Sequence, residues 1–141
     1  MRNRFFILLT ALFVLAGCGA SAEKQLAKTL LEKECQQANK ILAGKYVDAL
    51  TLCTSCEFDG KNVIYNYELD EDMVAIENVD KSILESTILE TWKTNPAVRA
   101  TKQNLIILDG DVIYNYTGSK TKETFTIKIK PPKDSEEEEE E

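Results

Sequence analysis

An α+β fold is predicted, with one antiparallel sheet covered on one face by two helices, in the order helix-hairpin-helix-hairpin-strand (αββαβββ). Three observations predict it. An early stretch repeats its apolar residues at helical spacing, and two later stretches alternate apolar and polar residues around Asp-Gly turns. Those two stretches also share their wording: Asp59-Gly60 precedes Val63-Ile64-Tyr65-Asn66-Tyr67, and Asp109-Gly110 precedes Val112-Ile113-Tyr114-Asn115-Tyr116.

The first helix is expected from Ala22 to Ala43. Ala27, Leu30, Leu31, Ala38, Ile41 and Leu42 form its apolar side, Lys28, Glu32, Lys33, Gln36 and Lys40 its polar side, and Gly44 stands at the C-cap. The polar side mixes both charge signs, which suits a helix on a protein core better than one lying on lipid. A strand follows over Val47 to Phe58, then a turn at Asp59 to Asn62, then a strand over Val63 to Leu69. Asp80 caps a second helix carrying Ile83, Leu84, Ile88 and Trp92, and Asn95-Pro96 stops it. Leu105 to Leu108 and Val112 to Thr117 are read as the second hairpin, and Glu123 to Lys130 as the last strand.

The echo then describes two helix-hairpin units, with Tyr65, Tyr67, Tyr114 and Tyr116 on corresponding strand faces. Four large, rigid, hydrogen-bonding side chains in a row form a candidate recognition surface. Because they share their face with Val63, Leu69 and Val112, the competing expectation is that the rings pack beneath the helices.

Before the first helix, Arg2 and Arg4 precede an apolar run from Phe5 to Ala16, too short to span a membrane and ending in small residues and a cysteine. Leu15-Ala16-Gly17-Cys18 resembles the lipobox of bacterial lipoproteins. The resemblance implies that residues 1–17 are a cleaved signal peptide and that Cys18 is the new amino terminus, carrying covalent lipid. Several acyl chains hold a protein on a membrane stably, at about 0.8 kcal/mol per buried methylene. Where enterobacterial lipoproteins retained in the inner membrane have Asp after the lipidated cysteine, this chain has Gly19, so the resemblance implies the outer membrane, facing the periplasm.

A single domain is expected over residues 18–130, with an acidic tail over 131–141. The tail opens with Pro131-Pro132 and closes on six glutamates, a composition expected to stay disordered. The chain carries a net charge of −7; without Arg2 and Arg4 it is −9, and without Glu136 to Glu141 it is −3. A nearly balanced fold offers no basic stripe for nucleic acid, which is not an expected partner.

Three cysteines remain for the fold. Cys53-Thr54-Ser55-Cys56 has the CxxC spacing of redox enzymes, in which the motif opens a helix; here a turn comes after it. In a strand, three residues of rise separate the two Cα atoms by about 10 Å, beyond the 4.4 to 6.8 Å of a disulfide. Strand parity puts Cys56 with Leu50, Leu52 and Phe58, and Cys35 lies four residues after Leu31 on the first helix. A Cys35–Cys56 bridge is therefore expected, closing a loop of about 20 residues and adding roughly 3 kcal/mol. Cys53, on the opposite face, is left as a free or redox thiol.

No histidine is present, which removes Ser-His-Asp and Cys-His nucleophiles and the usual zinc sites. Glu68, Asp70, Glu71 and Asp72 cluster without the glycine turn and distal glutamate of an EF-hand, so they read as a solvated loop. No catalytic residue, metal site or cofactor beyond the lipid on Cys18 is expected. The lipobox together with Asp59 to Glu71 resembles small Gram-negative envelope lipoproteins, and the helix-then-hairpin order is similar to β-lactamase-inhibitor-like folds in architecture alone. The reading is a membrane-anchored, non-enzymatic envelope protein that binds or scaffolds an envelope partner. Two alternatives stand beside it: a periplasmic thiol-disulfide protein using Cys53 and Cys56, and an inhibitor or immunity-type protein.

Overall fold

The computed structural model describes residues 19–133. The expected signal peptide, the expected lipidation site Cys18 and all but the first three residues of the acidic tail lie outside them. Among the described residues the fold is α+β, with three α-helices packed on one open five-stranded sheet.

Helix α1 spans Gly19–Leu42, beginning three residues before the expected start at Ala22. Its inward stripe is Ala27, Leu31 and Cys35, all buried; Leu30 and Ile41, at the edge of the expected apolar side, are exposed. Gly44 turns the chain with a left-handed φ of 79°, and its N–H donates to the Cys53 carbonyl at 2.8 Å. The expected strand over Val47 to Phe58 starts only at Thr51, as β2 (Thr51–Phe58); its first residues are a turn in which Asp48 accepts the Leu50 N–H, and a two-residue strand β1, Lys45–Tyr46, precedes that turn. β3 occupies Val63–Leu69 as read from the sequence, after a turn that Asp59 closes by accepting from Lys61 and Asn62.

Helix α2, Lys81–Thr94, is capped by Asp80, whose carboxylate accepts the Ile83 N–H at 3.1 Å. Asn95-Pro96 ends α2 but also begins another helix. Asn95 accepts the Ala97 N–H and Pro96 opens a 3₁₀ turn, where a missing N–H costs nothing, leading into α3 at Arg99–Leu108. Leu105 to Leu108 is thus the last turn of a helix and not a strand. Four apolar residues fit either period, and the choice falls to the start signal upstream and to Asp109, which caps α3 at φ 52°.

That change reverses a pairing. With 105–108 helical, β4 (Val112–Gly118) has no hairpin partner before it and reaches the sheet by a helical crossover from β3. The two pair in parallel, so the sheet, ordered β1-β2-β3-β4-β5 with β5 at Thr124–Ile129, is mixed rather than wholly antiparallel. The echoed segments lie side by side in perfect register: Val63 against Val112, Ile64 against Ile113, Tyr65 against Tyr114, Asn66 against Asn115, Tyr67 against Tyr116. Their turns also meet. The Val63 N–H donates to the Asp111 carbonyl, Asn62 accepts the Asp111 N–H, and a Cβ on Gly110 would overlap the Lys61 carbonyl oxygen.

One sheet face meets the helices in a core of Leu31, Cys35, Cys56, Val63, Trp92, Leu105, Val112, Tyr114, Tyr116, Phe125, Ile127 and Ile129. The other face is polar. Across it Thr126 donates to Asn115, Asn115 to Asn66 and Asn66 to Ser55, at 2.8, 3.1 and 2.8 Å, a chain running from β5 to β2.

Candidate functional site

Parallel register stacks the tyrosines into an aromatic row on the helix side of the sheet. Tyr65 and Tyr114 stack with ring centroids 5.4 Å apart, Tyr67 and Tyr116 tilt at the same distance, and Phe125 extends the row from Tyr116 at 4.8 Å. Helix α1 packs over β2 and against α3, and α2 lies over β5, so the tyrosines of the central strands sit on the sheet face that these helices cover. Tyr114 and Tyr116 are buried, and the Trp92 Nε1–H donates to the Tyr114 hydroxyl at 2.7 Å. Tyr65 and Tyr67 are half-buried and keep part of their surface.

Of the two expectations for these four residues, packing describes Tyr114 and Tyr116, and only Tyr65 and Tyr67 retain area for recognition. Burial pushes the Tyr114 hydroxyl up to about 12 against the opposing effect of the Trp92 donor, and raises Tyr65, Tyr67 and Tyr116 further. All four are neutral donors and acceptors, not bases.

The thiols gather beside this row. Cys35 of α1 and Cys56 of β2 are both buried with Sγ atoms 3.1 Å apart. Cys53 is buried too, on the same face as Cys56, which corrects the expectation that it faces the other way. A β-bulge between Cys53 and Ser55 inserts one residue and inverts the parity: Cys53 opposes Tyr67, Cys56 opposes Tyr65. Burial raises the Cys53 thiol. The CxxC segment lies within a strand, without the helix N-terminus, exposure or lowered pKa that make such a motif reactive.

Asn39 is a residue that sequence reasoning does not single out. One turn beyond Cys35 on α1, it donates to the Cys56 carbonyl at 2.7 Å and accepts the Cys56 N–H at 2.6 Å. Strand β1 pairs only with Leu52 and Cys53, so Cys56 has no strand neighbour on that side and the amide of Asn39 takes the place of one. An Asn amid the polar residues of an amphipathic helix gives no sign of this. Glu71, expected in a solvated loop, instead organises the β4–β5 turn, its carboxylate accepting the N–H groups of Lys120 and Thr121, each at 2.8 Å. Among the described residues no group of three or more His, Cys, Asp or Glu side chains is placed to hold a metal ion, and no helix is long and apolar enough to cross a membrane.

The chain is thus a mixed five-stranded sheet with helices on one face and an aromatic row on that same face. Two solved structures have a similar overall fold: the type 2 secretion system pilotin EpsS of Vibrio vulnificus, with TM-score 0.61 and 9% identity over 80% of this chain and 99% of that one, and a candidate secreted protein of Pseudomonas aeruginosa, with TM-score 0.59 and 13% identity over 76% and 91%. At these identities the likeness is one of fold. No protein-family model and no curated protein sequence matches the chain.

Proposed function

We propose that this chain is a lipid-anchored envelope protein that acts by binding another envelope protein, without catalysis, through the surface that Tyr65 and Tyr67 keep on the helix side of the sheet. The observation that carries this reading is the partly exposed tyrosine pair Tyr65 and Tyr67 in an otherwise closed aromatic row. Tyr supplies large contact area and a hydroxyl at low entropic cost, which is why it concentrates in interfaces. Both flanking helices also present apolar side chains to solvent, Ile41 on α1 and Ile83 on α2, 53% and 65% exposed. A fold similar to that of a secretion pilotin supports an assembly role in the envelope, the lipobox-like Leu15 to Cys18 supports anchorage by Cys18, and Gly19 after it supports the outer membrane, facing the periplasm.

Two measurements test it. A photo-crosslinking residue placed at Tyr67 of the full chain in living Gram-negative cells should give a discrete adduct with one envelope protein, and the same residue at Thr126, on the open polar face, should give none. An adduct from Thr126 alone would move the site to that face; silence at both would count against binding. Intact-mass analysis of the mature protein should find Cys18 as a lipidated amino terminus, and Cys18→Ser should release the protein from the membrane fraction.

A further inference from the structure

We propose that Cys35 and Cys56 form a structural disulfide that joins α1 to β2, with Cys53 excluded from it. The two sulfurs are 3.1 Å apart and enclosed together, at 4% and 2% residue exposure. A disulfide has S–S near 2.05 Å, so closing it needs about 1 Å of side-chain adjustment and no movement of either element. The elements are already fixed relative to one another: Asn39 holds both backbone polar groups of Cys56 from the turn of α1 next to Cys35. Cys53 shares the face, and with the bulge absorbing one residue it stands about 7 Å along the strand from Cys56, two residues of rise on β3 and at the outer limit of the 4.4 to 6.8 Å that a disulfide takes; it opposes Lys45 of β1 and Tyr67 of β3, whereas the Cys56 sulfur already touches that of Cys35.

In the finished fold Cys56 donates its S–H to Cys35. While α1 is undocked either thiol can react first, and the balance is the same whichever does. With Cys35 as the attacker, its thiolate attacks the disulfide of an exported oxidant, a protein or glutathione disulfide, and displaces one oxidant thiolate. Cys56, losing its proton, then attacks the Cys35 sulfur of the mixed disulfide and releases the second oxidant sulfur as a thiol. Two S–H bonds are lost, one S–S bond forms, and two electrons and two protons reduce one disulfide of the oxidant. Because both sulfurs are enclosed in the finished fold, the bond forms while α1 is still docking, and is shielded from reductants afterwards. The supply of oxidant rests on the proposed envelope location; the pairing does not.

The full chain carrying Cys18→Ser, which leaves only the three thiols of the fold, is reduced, unfolded and refolded in detergent in a glutathione redox buffer. It is then alkylated and its disulfides mapped by peptide mass. The expected result is a Cys35–Cys56 crosslinked peptide pair, alkylated Cys53, and a thermal midpoint about 10 °C above that of the reduced protein. Cys53→Ala should keep both the bond and the shift. Cys35→Ala should lose the bond and have a midpoint indifferent to reductant. A bond that includes Cys53, or native protein with Cys35 and Cys56 both alkylated, overturns the proposal. The same mapping on protein extracted from cell envelopes separates the two ideas: a bond that forms in buffer and is missing from the envelope sinks the location and leaves the pairing standing.

Discussion

Asn39 shows how one side chain can substitute for a missing strand. Strand β2 has a neighbour on its outer side for only two residues, and the first inward position past the bulge, Cys56, would otherwise turn a bare N–H and C=O toward the sheet edge. The Asn amide presents one donor and one acceptor in the geometry of a peptide group, and both are used. Asn39→Ala should cost about 2 kcal/mol, since it strands two partly buried backbone groups, and urea unfolding would measure it. Asn39→Asp keeps the acceptor but sets a carboxylate against the Cys56 carbonyl, so it should recover little of that loss. Gly110 is constrained as tightly from the opposite direction, because the Lys61 carbonyl occupies the space where any side chain would begin.

At the scale of elements, the β4–β5 turn depends on a residue outside it. The N–H groups of Thr121 and Lys120 hold the Glu71 carboxyl below the usual glutamate range, and Gly118 leaves room for the carboxylate to enter. A depressed folded-state value means that this contribution to stability is complete above the ordinary value of about 4.5 and is lost as pH falls through the folded value. Unfolding midpoints measured from pH 6 to pH 3 should therefore fall, and Glu71→Gln, which retains an acceptor oxygen and cannot titrate, should flatten that fall. Such long-range partnerships explain what the sequence conceals. Helices α1 and α2, strands β3 and β5, the Asp80 cap and the proximity of Cys35 to Cys56 are all legible in it, because periodicity and capping are local signals. The short apolar run Leu105 to Leu108 fits two periods, and the strand reading of it is the wrong one; a bulge is silent in composition, so simple parity puts Cys53 on the wrong face. The parallel pairing of β3 with β4 is hidden by the first of these errors. Of the candidate site, the tyrosines are visible as a set, and which two keep surface is decided only by where α1 and α2 dock.

Across the whole molecule, the aromatic row makes the fold sensitive to base. Tyr65, Tyr67, Tyr114 and Tyr116 all have raised values with burial as the first cause. A raised folded value favours the protonated form, so the associated stability is present below the unfolded value of about 10 and is lost as pH rises beyond it. Tyrosinate absorbance in an alkaline titration should rise for these four together with loss of the near-ultraviolet circular dichroism of Trp92, as one cooperative step. Independent ionisation of the four rings in a still-folded protein would contradict their burial. The pairing of Val63–Tyr67 with Val112–Tyr116 carries a different liability. A segment that aligns in parallel, in register, against its own duplicate has the geometry of a cross-β stack, in which identical side chains climb in ladders. In the native sheet both copies are interior strands, and the outer positions go to the two-residue β1 and to β5, with Lys128 on its open face and Lys130 and two prolines after it, features that discourage further addition. Once the sheet opens, every released chain exposes two self-templating segments, so for this protein the hazard of aggregation is greatest in unfolding and least in the surface it shows when folded.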